Sequence, residues 1–174
     1  MSDPAPARPV TAVIVTYQSA QTIDRALGAV RRCYDAQLLG VVIVDNNSTD
    51  ATREIIEREA DWARLILSAK NNGFGRGCNI GFAQVTSPYT IFINPDAAVE
   101  PEAIRTMLQF MEQHPKAGIV GPAIIEREEN GIGELQVAGE RLTPVTILGA
   151  ALPLLKYPAI SRPITPVTPR EEMI

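Results

Sequence analysis

The chain has 174 residues, of which 45% are hydrophobic and 21% charged, with 16 Lys and Arg against 20 Asp and Glu for a formal net charge of -4. That suffices for one domain with a buried core and excludes wholesale disorder, collagen and coiled coil. The cations are scattered, so no nucleic-acid partner is expected, because a sequence-independent grip on phosphates needs clustered Lys and Arg. Met1 to Pro9 carries Asp3 and three prolines but no apolar centre, and reads as a flexible arm (residues 1–9) rather than a signal peptide. Cys33 and Cys78 are the only cysteines, too few for a disulfide framework, which points to a reducing, cytoplasmic compartment.

Short apolar runs rich in β-branched residues at Val10–Val15, Val41–Val44, Leu65–Leu67, Ile91–Ile93 and Ile119–Val120 suit strands buried on both faces. Helical patterns alternate with them. Ile23, Ala26, Leu27 and Val30 share one helix face, with Ser19 placed to cap it. Ser48, Thr49 and Asp50 can cap a second helix carrying Ile55 and Ile56. A third begins after Asn71-Asn72-Gly73 and carries Phe74, Cys78, Gly81, Phe82 and Val85. Its glycines oppose helix propensity and need another reason. The fourth starts at Pro101, shows Ile104, Met107, Leu108 and Met111 as its stripe, and stops at Pro115. The alternation predicts an α/β fold: a Rossmann-like, mostly parallel sheet with helices on both faces and ligands beyond the carboxyl ends of the strands. Asn130-Gly131 then reads as a hairpin turn between Ala123–Arg127 and Glu134–Ala138. The expected domain covers residues 10–143. Residues 144–174 form a tail holding six of the 14 prolines, whose apolar stretch Val145–Leu155 is a candidate for self-association.

Polar clusters stand where strands end: Thr16-Tyr17, Asp45 to Asp50, Asn71 to Gly77 and Asn94-Pro95-Asp96. Known nucleotide fingerprints fail on them. No glycine follows Val15, and Gly73, Gly75 and Gly77 complete no G-x-G-x-x-G/A, which removes a dinucleotide site. None of the three lysines follows a glycine, which removes a P-loop. A strand-end carboxylate such as Asp45 can accept a pyrimidine N–H. Glycines at a helix start allow close backbone approach to phosphate or sugar, or close packing of helix on sheet. Cys78 and Trp62 read as packing residues, and His114 sits in a last helical turn where a cation suits the dipole.

In order and spacing, Val13-Ile14-Val15-Thr16-Tyr17, Val44 to Asp50, Asn72 to Asn79, Ile93-Asn94-Pro95-Asp96 and Val120-Gly121-Pro122 resemble the family-2 glycosyltransferases of the GT-A fold, above all their bacterial rhamnosyltransferase-like branch. The resemblance implies a dTDP- or UDP-linked sugar donor, a glycan or lipid-linked acceptor of the cell envelope, and work in the cytoplasm or at the inner membrane face. It assigns the nucleotide sugar to Thr16, Tyr17, Asp45, Asn47, Gly73, Arg76, Asn79 and Asn94. Asp96 matches the carboxylate that holds a divalent cation, Mg2+ or Mn2+, and Ala98 stands where the second carboxylate of the D-x-D pattern belongs. The family places its catalytic base further downstream, and none of Glu126, Glu128, Glu129, Glu134, Glu140, Glu171 and Glu172 is recognisable as that base. The chain therefore reads as the donor-binding half of such an enzyme, part of a longer protein or naturally short. The alternative is a non-catalytic nucleotide-sugar or partner-binding module.

Overall fold

A computed structural model describes residues 8–122, 124–127 and 133–136. The first unit runs to Pro122. Its elements alternate as β1 (Val10–Thr16), α1 (Ile23–Asp35), β2 (Leu39–Asp45), α2 (Thr52–Glu59), β3 (Arg64–Leu67), α3 (Phe74–Phe82), β4 (Tyr89–Ile93) and α4 (Pro101–Gln113). The four strands form one parallel sheet in the order β3-β2-β1-β4. The expected α/β sheet covered on both faces is the observed one. Chain order runs outward from β1 through β2 to β3 and then crosses to β4, so the direction of winding reverses between β1 and β4. A crevice opens at such a reversal, beyond the carboxyl ends of the strands.

Alternate residues of β1 and β2 feed two separate cores, which is why both strands read as unbroken apolar runs. Ala12, Ile14, Val41 and Ile43 pack with Ile23, Leu27 and Val30 of α1, Ile56 of α2 and Ile104 of α4. Val13, Val15, Val42 and Val44 face the other way, against Cys78 and Ile80 of α3. Cys33 lies in the larger core, its thiol pushed up to about 11 by burial, with Glu100 adding to the effect and Arg32 and Arg105 opposing it. Trp62 packs against Tyr34 with ring centroids 4.9 Å apart and planes tilted by 47°, in the packing role expected of it.

Three expectations are corrected. Ile119–Val120 forms no strand: Ile119 is 93% exposed, and two apolar residues between Gly118 and Gly121-Pro122 are too short a run to hold a ladder. It lies instead beside an apolar groove of about 440 Å³ between β4 and α4, lined among others by Phe92, Ile104, Met107 and Met111. Ser19 does not cap α1 with its side chain; its carbonyl accepts from the Thr22 and Ile23 N–H groups. The third helix ends at Phe82, short of Val85, and Phe74 and Phe82 are 58% and 55% exposed rather than core.

A second unit begins at Ala123. In it β5 (Ile124–Arg127) and β6 (Gly133–Gln136) pair antiparallel, with Arg127 opposite Gly133. The hairpin is therefore as expected, while its Asn130-Gly131 turn and the stretch Val145–Leu155 lie outside the described residues.

Candidate functional site

Thr16 and Asp45 are the last residues of adjacent strands and stand in register. Both side chains belong to the α1 side of the sheet by the alternation of the pleat. Thr16 Oγ1 donates to Asp45 Oδ1 at 3.0 Å, the Ser48 hydroxyl donates to the same oxygen at 2.6 Å, and the Ser48 N–H donates to Oδ2 at 3.0 Å. Asp45 is only 2% exposed. A carboxylate offers about four acceptor positions, so three are spent within the protein and one remains for a ligand.

The loops after β1 and β2 are laced together by side chains. Gln18 Oε1 accepts from the Thr49 and Asp50 N–H groups, and its amide donates to Thr49 Oγ1. Asp50 accepts from the Ala20 N–H and from the Thr52 N–H and hydroxyl. Partial burial alone would raise the Asp50 carboxyl, but these hydrogen bonds outweigh it and hold it below its ordinary 3.8. Gln18 and Asn47 adopt left-handed backbone, φ 52° and 65°, which Asn tolerates readily. Tyr17 projects from this laced rim, 50% exposed.

On the opposite side of the sheet the glycines of α3 have two distinct uses. A Cβ on Gly77 would come within 2.6 Å of Val15 Cγ1, and one on Gly81 would meet Val13 Cγ1 still more closely. These two let the helix lie directly on β1 and β2, so the packing role holds for them. Gly73, at φ 78°, makes the sharp entry to the helix, and Gly75 faces open space. Asn46 ties that entry to β2: its amide donates to the Gly73 carbonyl at 3.1 Å. The residue is 2% exposed, and its Oδ1 is buried with no hydrogen-bond partner. A buried acceptor left unpaired costs on the order of 1–3 kcal/mol, which a ligand N–H could recover.

Asn94, Pro95 and Asp96 follow β4, next to the end of β1, with Asn94 and Asp96 exposed. Among the described residues Asp96 enters no salt bridge and no side-chain hydrogen bond, and no cluster of three metal-ligating side chains occurs. A free carboxylate with no second acidic partner suits a hard cation held mainly by phosphate oxygens and water, as Mg2+ and Mn2+ are. The residues present fit such an ion as a single protein anchor.

The fold thus brings Thr16, Tyr17, Asp45, Asn47, Gly73, Asn94 and Asp96 to one end of the sheet. Arg76 is exposed in the first turn of α3. Asn79, about 200° around the helix from Gly77, lies on the face turned away from the sheet. Asn46 was missed in the sequence reading. The signal for it was parity: in a strand ending at Asp45, Asn46 falls on the same side as Val42 and Val44.

Comparison with known proteins places this geometry. The model of the family described as glycosyl transferase family 2 matches residues 11–153. The chain belongs to that family. Among its curated relatives, the N-acetylglucosaminyl-diphospho-decaprenol L-rhamnosyltransferase of Mycobacterium tuberculosis is 28% identical over 64% of the chain and 40% of its own length. An uncharacterised glycosyltransferase of Nostoc is 26% identical over 77% of the chain and 42% of its own length. The chain therefore spans about two fifths of the length of these relatives. Among solved structures, Staphylococcus aureus TarS 1–349 in complex with UDP-GlcNAc superposes with TM-score 0.53 at 22% identity, covering 68% of this chain and 37% of that one. The mannosyltransferase PcManGT from Pyrobaculum calidifontis, in complex with GDP-Man and Mn2+, gives TM-score 0.52 at 22% identity, covering 68% and 35%. The shared architecture is the GT-A fold. Among the described residues no helix is long and apolar enough to cross a membrane.

Proposed function

We propose that the chain forms the donor-binding half of a glycosyltransferase that moves a sugar from a dTDP- or UDP-linked carrier to a glycan or lipid-linked acceptor of the cell envelope, at the inner face of the membrane. Rhamnose is the favoured sugar because the mycobacterial relative is named a rhamnosyltransferase. The observation that carries the reading is the convergence of the β1, β2 and β4 ends at the β1/β4 reversal, with Asp96 unengaged on one side and Asn46 Oδ1 unpaired on the other.

In this reading the base lies over β1 and β2, where Tyr17 supplies an aromatic face, Asn46 Oδ1 an acceptor for a base N–H, and Asp45 its one remaining lone-pair position. Asn47, Gly73, Arg76 and Asn94 flank the ribose and diphosphate, whereas Asn79, on the far face of α3, is given no contact with the donor. Asp96 anchors the divalent cation, which when bound neutralises charge developing on the leaving diphosphate. In transfer, an acceptor hydroxyl attacks the anomeric carbon, the carbon–oxygen bond to the diphosphate breaks, and the hydroxyl proton passes to a base. No described residue is assigned that last role.

Calorimetry with UDP and dTDP, with and without Mn2+, tests the reading. Binding is expected to require Mn2+ and to be lost on EDTA treatment and in Asp96→Ala. Equal binding in all of these conditions would remove the metal role. Sugar transfer from a bound donor to an added acceptor would exclude the non-catalytic module.

A further inference from the structure

Phe74 is a large apolar side chain at the first position of α3, and 58% of it is exposed. The helix runs antiparallel to β1, since Gly81 packs on Val13 and Gly77 on Val15. Phe74 is about 20° around the helix from Gly81 and about 60° from Gly77, so it belongs to the face turned toward the sheet. It stands about 4.5 Å beyond Gly77 along the axis, while the strand advances about 3.3 Å per residue. That arithmetic sets Phe74 level with Thr16 and Tyr17, past the last residue that could cover it. Helical side chains also lean toward the helix N-terminus, which carries the ring further over the strand ends.

Three features gather beyond this end of the sheet. Tyr17 stands in the bend directly after β1, two residues after Val15, and is 50% exposed. Asn46 is fixed there by its bond to the Gly73 carbonyl and leaves Oδ1 buried and unpaired. Phe74 follows Gly73 directly. Two exposed aromatic rings and an unpaired acceptor at one end of the sheet match a planar heterocycle that offers an N–H at its edge.

We propose that Phe74 stacks on the nucleobase of the donor, opposite or beside Tyr17, and so positions the nucleotide. This rests on the donor-binding reading given above and adds to it a residue. Stacking is tolerant of which base is present, so Phe74 sets affinity for the base while hydrogen bonds select among bases.

The test compares UDP with pyrophosphate, each with Mn2+, on the whole chain and on Phe74→Ala, Phe74→Leu and Phe74→Trp. Phe74→Ala is expected to weaken UDP by about 5-fold to 150-fold and to leave pyrophosphate unchanged. Phe74→Leu keeps apolar bulk without a planar face and should fall between Phe74→Ala and the parent. Phe74→Trp should retain UDP affinity and add a UDP-dependent fluorescence change absent from the parent, whose one tryptophan, Trp62, packs against Tyr34. Unchanged UDP affinity in Phe74→Ala, or equal weakening of UDP and pyrophosphate, would overturn the stacking role while leaving donor binding intact. A parent chain that binds pyrophosphate but gains nothing from the base would likewise overturn it. Failure of the parent to bind either compound would overturn the donor-binding reading itself.

Discussion

Thr16 Oγ1 donates to Asp45 Oδ1 across 3.0 Å, joining the carboxyl ends of β1 and β2 out of reach of solvent. The bond has a neutral donor and an ionised acceptor, the stronger class of hydrogen bond. It makes Asp45 an organiser of the rim as well as a candidate ligand contact.

Thr16→Val keeps the shape of the side chain and removes the donor, so it should cost about 1.5–3 kcal/mol of stability without ligand. Urea unfolding of the two proteins measures it. Asp45→Asn should cost at least as much, because its amide nitrogen would face donors from Thr16 or Ser48. If both variants unfold at the parent midpoint, Asp45 is not structural and its burial must serve the ligand alone.

Gly77→Ala and Gly81→Ala each force a methyl group into a buried valine on the rigid face of β1, which overpacks the interface by about 1–3 kcal/mol. Ala gains up to about 1 kcal/mol of helix propensity over Gly, so a net loss is expected at both sites. Gly75→Ala meets open space and should keep that gain as a higher melting temperature. The three melting curves are a direct comparison. Equal shifts at all three positions would mean that propensity, and not contact with the sheet, decides the composition of α3.

Asp50 links pH to the stability of the β1 and β2 loops. Its carboxyl is held below the ordinary 3.8 in the folded chain, so the folded state binds the proton less readily than the unfolded one. The stabilisation is present above about pH 4 and fades as pH falls through the lower folded value. Asp50→Asn removes that titration and should flatten the acid limb of stability below pH 4, with solvent screening keeping the effect modest. Identical acid limbs for parent and variant would show that the loop bonds are not maintained in solution.

The sequence by itself determined the alternating α/β order, the parallel sheet and the family. Apolar runs such as Val10–Val15 and stripes such as Ile104, Met107 and Leu108 are local patterns, and each marks the face that turns toward the core. The strand-end clusters were legible for the same reason, since polar residues directly after a buried run have only the sheet's end to occupy. Tertiary structure alone decided how those residues are used. Nothing local distinguishes Gly75 from Gly77, because the difference is the presence of Val15 across the interface. Nor does Asp45 announce that Thr16 and Ser48 consume most of its acceptor capacity, or Asn46 that its own acceptor is left unpaired. Phe74 reads as a core residue by helical spacing, yet β1 ends at Thr16, level with it, and leaves the ring uncovered. Burial depends on where the neighbouring element ends, and that is a long-range fact which only the assembled sheet contains.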